Sequence, residues 1–129
     1  MRSLIAGLMV ASALGGAAAA QTGPVSTGPL AELCASSEAA AIAYCRGFLV
    51  GAGQYHAAST ARGGLSPMFC LSDPMPTVEQ AQAAFVAWAR ANPQHAGERA
   101  IDGVMRWAVT AYPCPTPASS QPAARRNSR

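Results

Sequence analysis

Four cysteines in a chain of 129 residues limit the folds open to it more than any other feature. They are Cys34, Cys45, Cys70 and Cys114. No two of them have the Cys-x-x-Cys spacing of a zinc site or a thiol redox pair, and the two histidines are not close in sequence. An even number of cysteines in a small exported domain favours two disulfides. The prediction therefore depends on evidence for export.

Residues 1–20 have the pattern of a cleaved secretory signal peptide. Arg2 supplies a short positive region, residues 4–14 are apolar and uncharged, and residues 18–20 are small side chains before Gln21. The apolar run is too short and too rich in Gly and Ala to span a bilayer core of about 30 Å well. We therefore expect a periplasmic mature protein that has no membrane attachment and whose cysteines are oxidised.

Composition divides the rest of the chain into one folded region and two polar ends. Residues 21–29 are rich in Gly, Pro, Ser and Thr and are expected to be a flexible lead-in. Residues 115–129 contain three prolines and three arginines and are expected to be a disordered tail. The domain is therefore predicted over 30–114. Residues 21–124 hold five Arg against six acidic residues, a net charge of −1, which excludes a basic face for nucleic acid.

Helical periodicity runs through the predicted domain, and no alternating strand pattern or Asn-Gly hairpin signal interrupts it. The sequence predicts an all-α bundle of about four helices. Ser36 or Ser37 is expected to cap the second helix, and Thr77 with Gln80 forms a capping box for the third. The four helices are expected over about 29–35, 38–59, 77–92 and 96–111.

The second helix carries a predicted apolar face and several glycines. Gly47, Gly51 and Gly53 each cost about 1 kcal/mol relative to Ala inside a helix. That cost predicts the close approach of another backbone. The face expected to turn toward the core consists of Ala41, Tyr44, Phe48, Gly51 or Ala52, and Tyr55.

The predicted helices also indicate which cysteines pair. A short connection joins the third and fourth helices, so they should pack antiparallel. Cys70 precedes the start of the third and Cys114 follows the end of the fourth, and these two ends meet. Cys70–Cys114 is therefore favoured among the three possible connectivities, and it leaves Cys34–Cys45 as the second bridge.

The residues that could carry out catalysis are few. His56 and His95 lie at helix ends and are expected to be surface or capping residues. No nucleophile elbow, phosphate loop or pair of carboxylates in a cleft is visible, and Asp102 with Arg106 has the spacing of a surface ion pair. We therefore expect no enzyme activity, no cofactor and no metal site.

Several motifs, in order along the chain, resemble those of the Rap/Tai immunity proteins of type VI secretion. Tyr-Cys-Arg-Gly-Phe-Leu-Val-Gly at 44–51 resembles that family's Tyr-Cys-x-Gly-Tyr-x-x-Gly segment. Phe69-Cys70 resembles its Phe-Cys-x-Pro, although Ser72 stands at the proline position here. The stretch 93–114 resembles the family's C-terminal pattern, which ends in Phe-Pro-Cys. Leu33-Cys34 also fits, so the resemblance covers about 30–114.

The resemblance implies a small periplasmic helical protein, often dimeric, that binds a toxic peptidoglycan amidase and occludes its active site. Matching cysteines and glycines transfer the fold but do not identify the partner contacts. We expect those contacts first at 60–69, with Arg62, Met68 and Phe69, because a loop pinned by a disulfide loses less entropy on binding. The alternative is that Met68 and Phe69 cap the core.

Two other functions stay open at this point. A periplasmic acid-stress chaperone of the HdeA kind would also be small, helical and disulfide-bonded. The six carboxylates of this chain argue against a strong acid switch, since acid denaturation acts through carboxylates paired in the native state. An orphan periplasmic helical domain without a toxin partner is the other alternative.

Overall fold

The computed structural model describes residues 24–61 and 63–116. In this part of the chain the elements are α1 (Thr27–Ala35), α2 (Ala39–Ala61), α3 (Val78–Ala91), a 3-10 turn (Pro93–His95) and α4 (Ala100–Ala111). The predicted all-α class is confirmed. Residues 1–20 and the tail beyond 116 lie outside the described residues. None of the helices described is long and apolar enough to cross a membrane.

Both predicted disulfides are present. Cys34–Cys45 ties the end of α1 to α2 across a sequence separation of 11, with the Cα atoms 5.1 Å apart. Cys70–Cys114 joins the α2–α3 connection to the chain after α4 across a separation of 44, with the Cα atoms 4.7 Å apart. One bridge therefore fixes the first two helices to each other, and the other fixes the α2–α3 connection to the end of α4.

The first helix begins earlier than predicted, because the residues before it contact α4. The Thr27 amide donates to the Glu98 carbonyl at 2.8 Å, and the Ala100 amide donates to the Val25 carbonyl at 2.8 Å. Thr27 is buried. Residues 24–29, part of the expected lead-in, are therefore part of the fold.

Thr27 also explains why residue 103 is a glycine. A Cβ built on Gly103 would lie 2.9 Å from the Thr27 Cβ and closer still to its Oγ1 and Cγ2. The Thr27 hydroxyl lies 3.2 Å from the carbonyl oxygens of both Glu98 and Arg99, so it is held in place at the helix crossing. We call this contact region, residues 25–28 against 96–103, the α1–α4 seam.

The seam also shortens α4. Arg99 is extended, with ψ 141°, and forms an isolated antiparallel bridge with Ser26. A residue in that conformation cannot continue a helix, so α4 starts at Ala100 and not near residue 96. By contrast, the capping box of α3 is confirmed: Thr77 Oγ1 accepts from the Gln80 amide, and Gln80 Oε1 accepts from the Thr77 amide.

The predicted inner face of α2 is confirmed at Ala52 and in part at Phe48, which packs against the core, but it is displaced by about one position elsewhere. The buried residues are Cys45, Leu49 and Ala52, whereas Tyr44 is exposed and Tyr55 is 75% exposed. One residue corresponds to about 100° of rotation in a helix, so this shift turns the Tyr44–Tyr55 stripe toward solvent. Apart from the adjacent residues and the nearby backbone of α2 itself, no described atom lies within 4 Å of a Cβ built on the three helix glycines, so the predicted close approach of another backbone is wrong for the described chain.

Side chains of all four helices form one core. Phe85 of α3 packs edge-on against Trp107 of α4, with ring centroids 5.6 Å apart. Beside it, Arg46 Nε donates to Gln82 Oε1 at 2.8 Å, and Gln82 Nε2 donates to the Cys34 carbonyl at 2.7 Å. This chain of hydrogen bonds fixes α1, α2 and α3 relative to one another. The buried hydrophobic residues are Leu30, Cys34, Cys45, Leu49, Ala52, Phe69, Phe85, Val86, Ala100, Val104, Trp107 and Ala108.

Candidate partner-binding site

The 63–77 segment connects α2 to α3 and has no regular secondary structure, as its prolines predict. Its Asp73–Pro74 peptide is cis. Near its middle, Cys70 is bonded to Cys114, and the Cys70 amide donates to the Tyr112 carbonyl at 2.9 Å. The segment is therefore fixed to the end of α4 by one covalent and one hydrogen bond.

A second attachment comes from α2. The Met68 amide donates to Nε2 of His56 at 3.1 Å. The same imidazole stacks on Phe69, with ring centroids 3.9 Å apart and planes inclined by 20°. His56, predicted to be a surface or capping residue, thus joins the last turns of its helix to the 63–77 segment.

The three predicted partner contacts differ in where they lie. Phe69 is 6% exposed and belongs to the core, in keeping with the alternative that it caps the core. Met68 is 57% exposed. Arg62 lies outside the described residues. Of the two predicted contacts that the structure describes, Met68 is therefore the one whose side chain is exposed.

An apolar groove of about 380 Å³ lies on the Phe69 side of the segment. Met75, which is 70% exposed, and Leu71 form its rim, and Val50 and Ala57 of α2 face them. The side chains named here are uncharged, as are the rest of the described groove residues. Those are Leu49, Ala52, Gly53, Gln54, Phe69, Pro76, Thr77, Val78, Ala81, Val104, Met105, Trp107, Ala108 and Tyr112.

Tyr112 adds no negative charge to this groove. Burial raises the pKa of its phenol above the ordinary value, so the hydroxyl stays protonated at neutral pH. A surface of this composition excludes charged ligands and favours an apolar element of another molecule. Concave and mostly apolar cavities of this size are typical places for an apolar group of a ligand or partner to bind.

The Met68 side of the segment differs, because ion pairs surround its cleft. Arg106 Nε donates to Glu98 Oε2 at 2.7 Å, and Arg99 Nε donates to Asp102 Oδ2 at 2.7 Å. The predicted pairing of Asp102 with Arg106 is therefore wrong, since each has another partner. The apolar centre of this cleft consists of Met68, Trp88, Met105 and Val109.

The charges on this side are bound to one another. Hydrogen bonds from His95 and Arg106 hold the pKa of Glu98 below its usual range, and a hydrogen bond from Arg99 does the same for the pKa of Asp102. Lowered values keep both carboxylates ionised, which is the opposite of what a general acid requires. Among the described residues, no group of three or more His, Cys, Asp or Glu side chains could hold a metal ion.

Sequence reasoning missed the groove and the contact made by His56. Leu71 and Met75 lie in a proline-rich stretch without periodicity, so no pattern marks them as the wall of a surface. Their size was the available signal, because large apolar side chains are unusual in a polar loop. The hydrogen bond from Met68 to His56 spans 12 positions and has no local signature.

The fold and this surface define a small, disulfide-stapled helical domain with an exposed apolar groove beside a pinned connection. The family model of the Rap1a immunity proteins matches residues 26–114. The chain belongs to this family, and the resemblance to the Rap/Tai immunity proteins is confirmed. No curated protein and no solved structure matches the chain.

Proposed function

We propose that this chain is a periplasmic immunity protein that binds a peptidoglycan amidase effector of type VI secretion and occludes its active site. Family membership indicates the immunity role and a protein partner. The amidase as target rests on the family resemblance. Two disulfides and the signal pattern of residues 1–20 support the periplasm.

The apolar groove carries the proposal. Its rim residues Leu71 and Met75 stand on a segment held by a disulfide and by His56, so binding orders little additional chain. Phe69 forms part of the groove wall from inside the core. Met68 extends the proposed contact beyond the groove. Arg62, which lies outside the described residues, stays a predicted contact. The protein acts by covering the amidase cleft and carries out no reaction of its own.

The test uses the mature oxidised protein and purified peptidoglycan amidase effectors of type VI secretion. We expect stoichiometric inhibition and binding at about nanomolar Kd, as is usual for tight protein pairs of standard interface size. Met75→Asp places a charge on the groove rim and should weaken binding about 100-fold, the range of a central contact.

Ile101→Asp is the matched control. Ile101 is exposed in the first turn of α4 and does not line the groove, and a carboxylate near a helix N-terminus is favourable. Equal weakening by both variants would place the contact elsewhere. Absence of inhibition would contradict the amidase proposal and favour an orphan domain, and binding of many unfolded proteins only at acid pH would favour the chaperone.

We also propose that two copies associate through the outer face of α2. Tyr44 and Tyr55 are exposed there, and the space above Gly47 and Gly51 is open. A second helix packed on this face would account for glycines that cost about 1 kcal/mol each. Sedimentation of the wild type and of Gly51→Leu tests this: a dimer that the variant converts to monomer supports it, and a wild-type monomer contradicts it.

A further inference from the structure

The contact between α2 and the 63–77 segment depends on the protonation state of one residue. A backbone amide can only donate, so Nε2 of His56 must be unprotonated to accept from the Met68 amide at 3.1 Å. The proton of the neutral ring is then on Nδ1. In the imidazolium form both ring nitrogens carry protons, and this hydrogen bond is lost.

Few other interactions hold this part of the segment. Between Gly63 and Phe69, the described backbone hydrogen bonds are that of Met68 to His56 and that of the Gly63 amide to the Thr60 carbonyl at 3.2 Å. The Pro67 carbonyl oxygen also lies 3.8 Å from Sγ of Cys114. The next fixed point along the chain is Cys70. Loss of the bond at Met68 therefore frees the stretch 64–68 from its described hydrogen bond to the His56 ring, while Phe69 is kept in place by its burial in the core and by its ring stack on His56.

The charged side chains found around this contact lie on elements other than α2 and the described segment up to Phe69. Its helix neighbours Ala52, Gly53, Ser59 and Thr60 are uncharged. Along the described segment up to Phe69 no side chain is ionisable, and Cys70 is oxidised. From the α4 side, the ionisable residues that share a cavity with Phe69 or Met68 are Tyr112, Asp102 and Arg106, together with His95 of the 3-10 turn.

We propose that His56 is a positioning residue that works as an acid-sensitive clasp: its neutral ring holds Met68 against α2, and its protonation releases the 64–68 stretch, while Phe69 stays in the core. An unperturbed histidine side chain changes its charge between about pH 5 and pH 8, and an exported protein meets such pH values when its surroundings acidify. Because Met68 belongs to the proposed effector contact, the consequence for binding rests on the proposed function. The clasp itself is a property of the free chain.

Amide exchange of Met68, measured by NMR on the free oxidised protein while the His56 ring resonances are titrated, tests the clasp. His56→Gln keeps an acceptor that does not titrate and serves as the reference at each pH. We expect the protection of Met68 in the wild type to fall about fivefold to tenfold relative to His56→Gln as His56 protonates, which corresponds to the loss of one ordinary hydrogen bond. A ratio that stays constant through the titration would overturn the proposal.

Two further variants separate the hydrogen bond from other effects. His56→Phe keeps an aromatic face against Phe69 but removes the acceptor, so Met68 should lose its protection at every pH. His95→Gln should retain the wild-type pH dependence, and its loss there would assign the effect to His95 and overturn the clasp. With the effector, wild-type affinity should fall on acidification and that of His56→Gln should not. The exchange result remains valid whether or not the amidase binds.

Discussion

The α1–α4 seam and the 63–77 segment are held in different ways. In the seam, the backbone bonds from Thr27 to Glu98 and from Ala100 to Val25 are 2.8 Å long, and Gly103 leaves no room for a side chain. In the segment, the fixed points are a disulfide, a hydrogen bond from Cys70 and the contact with His56.

This difference separates stability from binding within a small domain. The centre of the seam, formed by Thr27, Ala100 and Gly103, is buried and closely packed, so these residues have little freedom to vary. The segment exposes Leu65, Met68, Leu71 and Met75 and is attached at a few points, which is typical of regions that open at low free energy and bind partners. Changes at the buried centre of the seam should therefore affect the whole fold, whereas changes at its exposed positions should not. Changes in the segment should act locally unless its disulfide is lost.

Removing the Cys70–Cys114 bridge should give the largest effect. In the chain-entropy model, a loop closed across 44 positions stabilises the fold by about 4 kcal/mol. Cys70→Ala with Cys114→Ala should therefore lower the free energy of unfolding by about that amount in urea titrations. The segment should also lose its attachment to α4, so the Cys70 position should lose amide protection.

The Cys34–Cys45 bridge provides the control. It closes a loop across 11 positions, for which the same model gives about 3 kcal/mol. Its removal should lower the free energy of unfolding of the whole domain. The amide of residue 70 should stay as well protected from hydrogen exchange, relative to the other amides of the domain, as in the wild type. Selective opening of the segment in this second variant would contradict the separation of the two regions.

Local signals explain which parts of the fold the sequence predicted. The capping box at Thr77, the prolines of the connection and the antiparallel order of the last two helices are short-range features, and the helix class and both disulfides follow from them. The inner face of α2 was predicted correctly at Ala52 but wrongly at Tyr44 and Tyr55, because these aromatic residues follow the periodicity of a buried stripe and are nevertheless exposed. The seam was missed because Thr27 and Gly103 are far apart in sequence.

The seam itself should be sensitive to a single methyl group. Gly103→Ala would force a Cβ into Thr27, whose side chain is held by its bonds to α4, and should cost about 2 kcal/mol, as overpacking of a core does. Gly53→Ala adds the same group to a helix position that is away from the proposed dimer face and has no other packed atom within 4 Å, and it should stabilise by up to about 1 kcal/mol. Urea unfolding of both variants checks the pair, and equal effects would contradict the close contact in the seam.

The smallest expected effect concerns the ion pairs beside the seam. Because its hydrogen bonds lower the pKa of Glu98 in the folded state, this carboxylate stabilises the fold above its unfolded value near 4.5, and the contribution is lost as the pH falls through the folded value. Glu98→Gln should therefore be slightly less stable than the wild type at pH 7 and lose less stability on acidification below pH 4.5. Glu32→Gln is the control, since no ion pair involves Glu32 among the described residues. If the free energy of unfolding of the wild type and of Glu98→Gln depends on pH in the same way, this charge does not stabilise the seam. The seam would then depend on its backbone hydrogen bonds and packing alone.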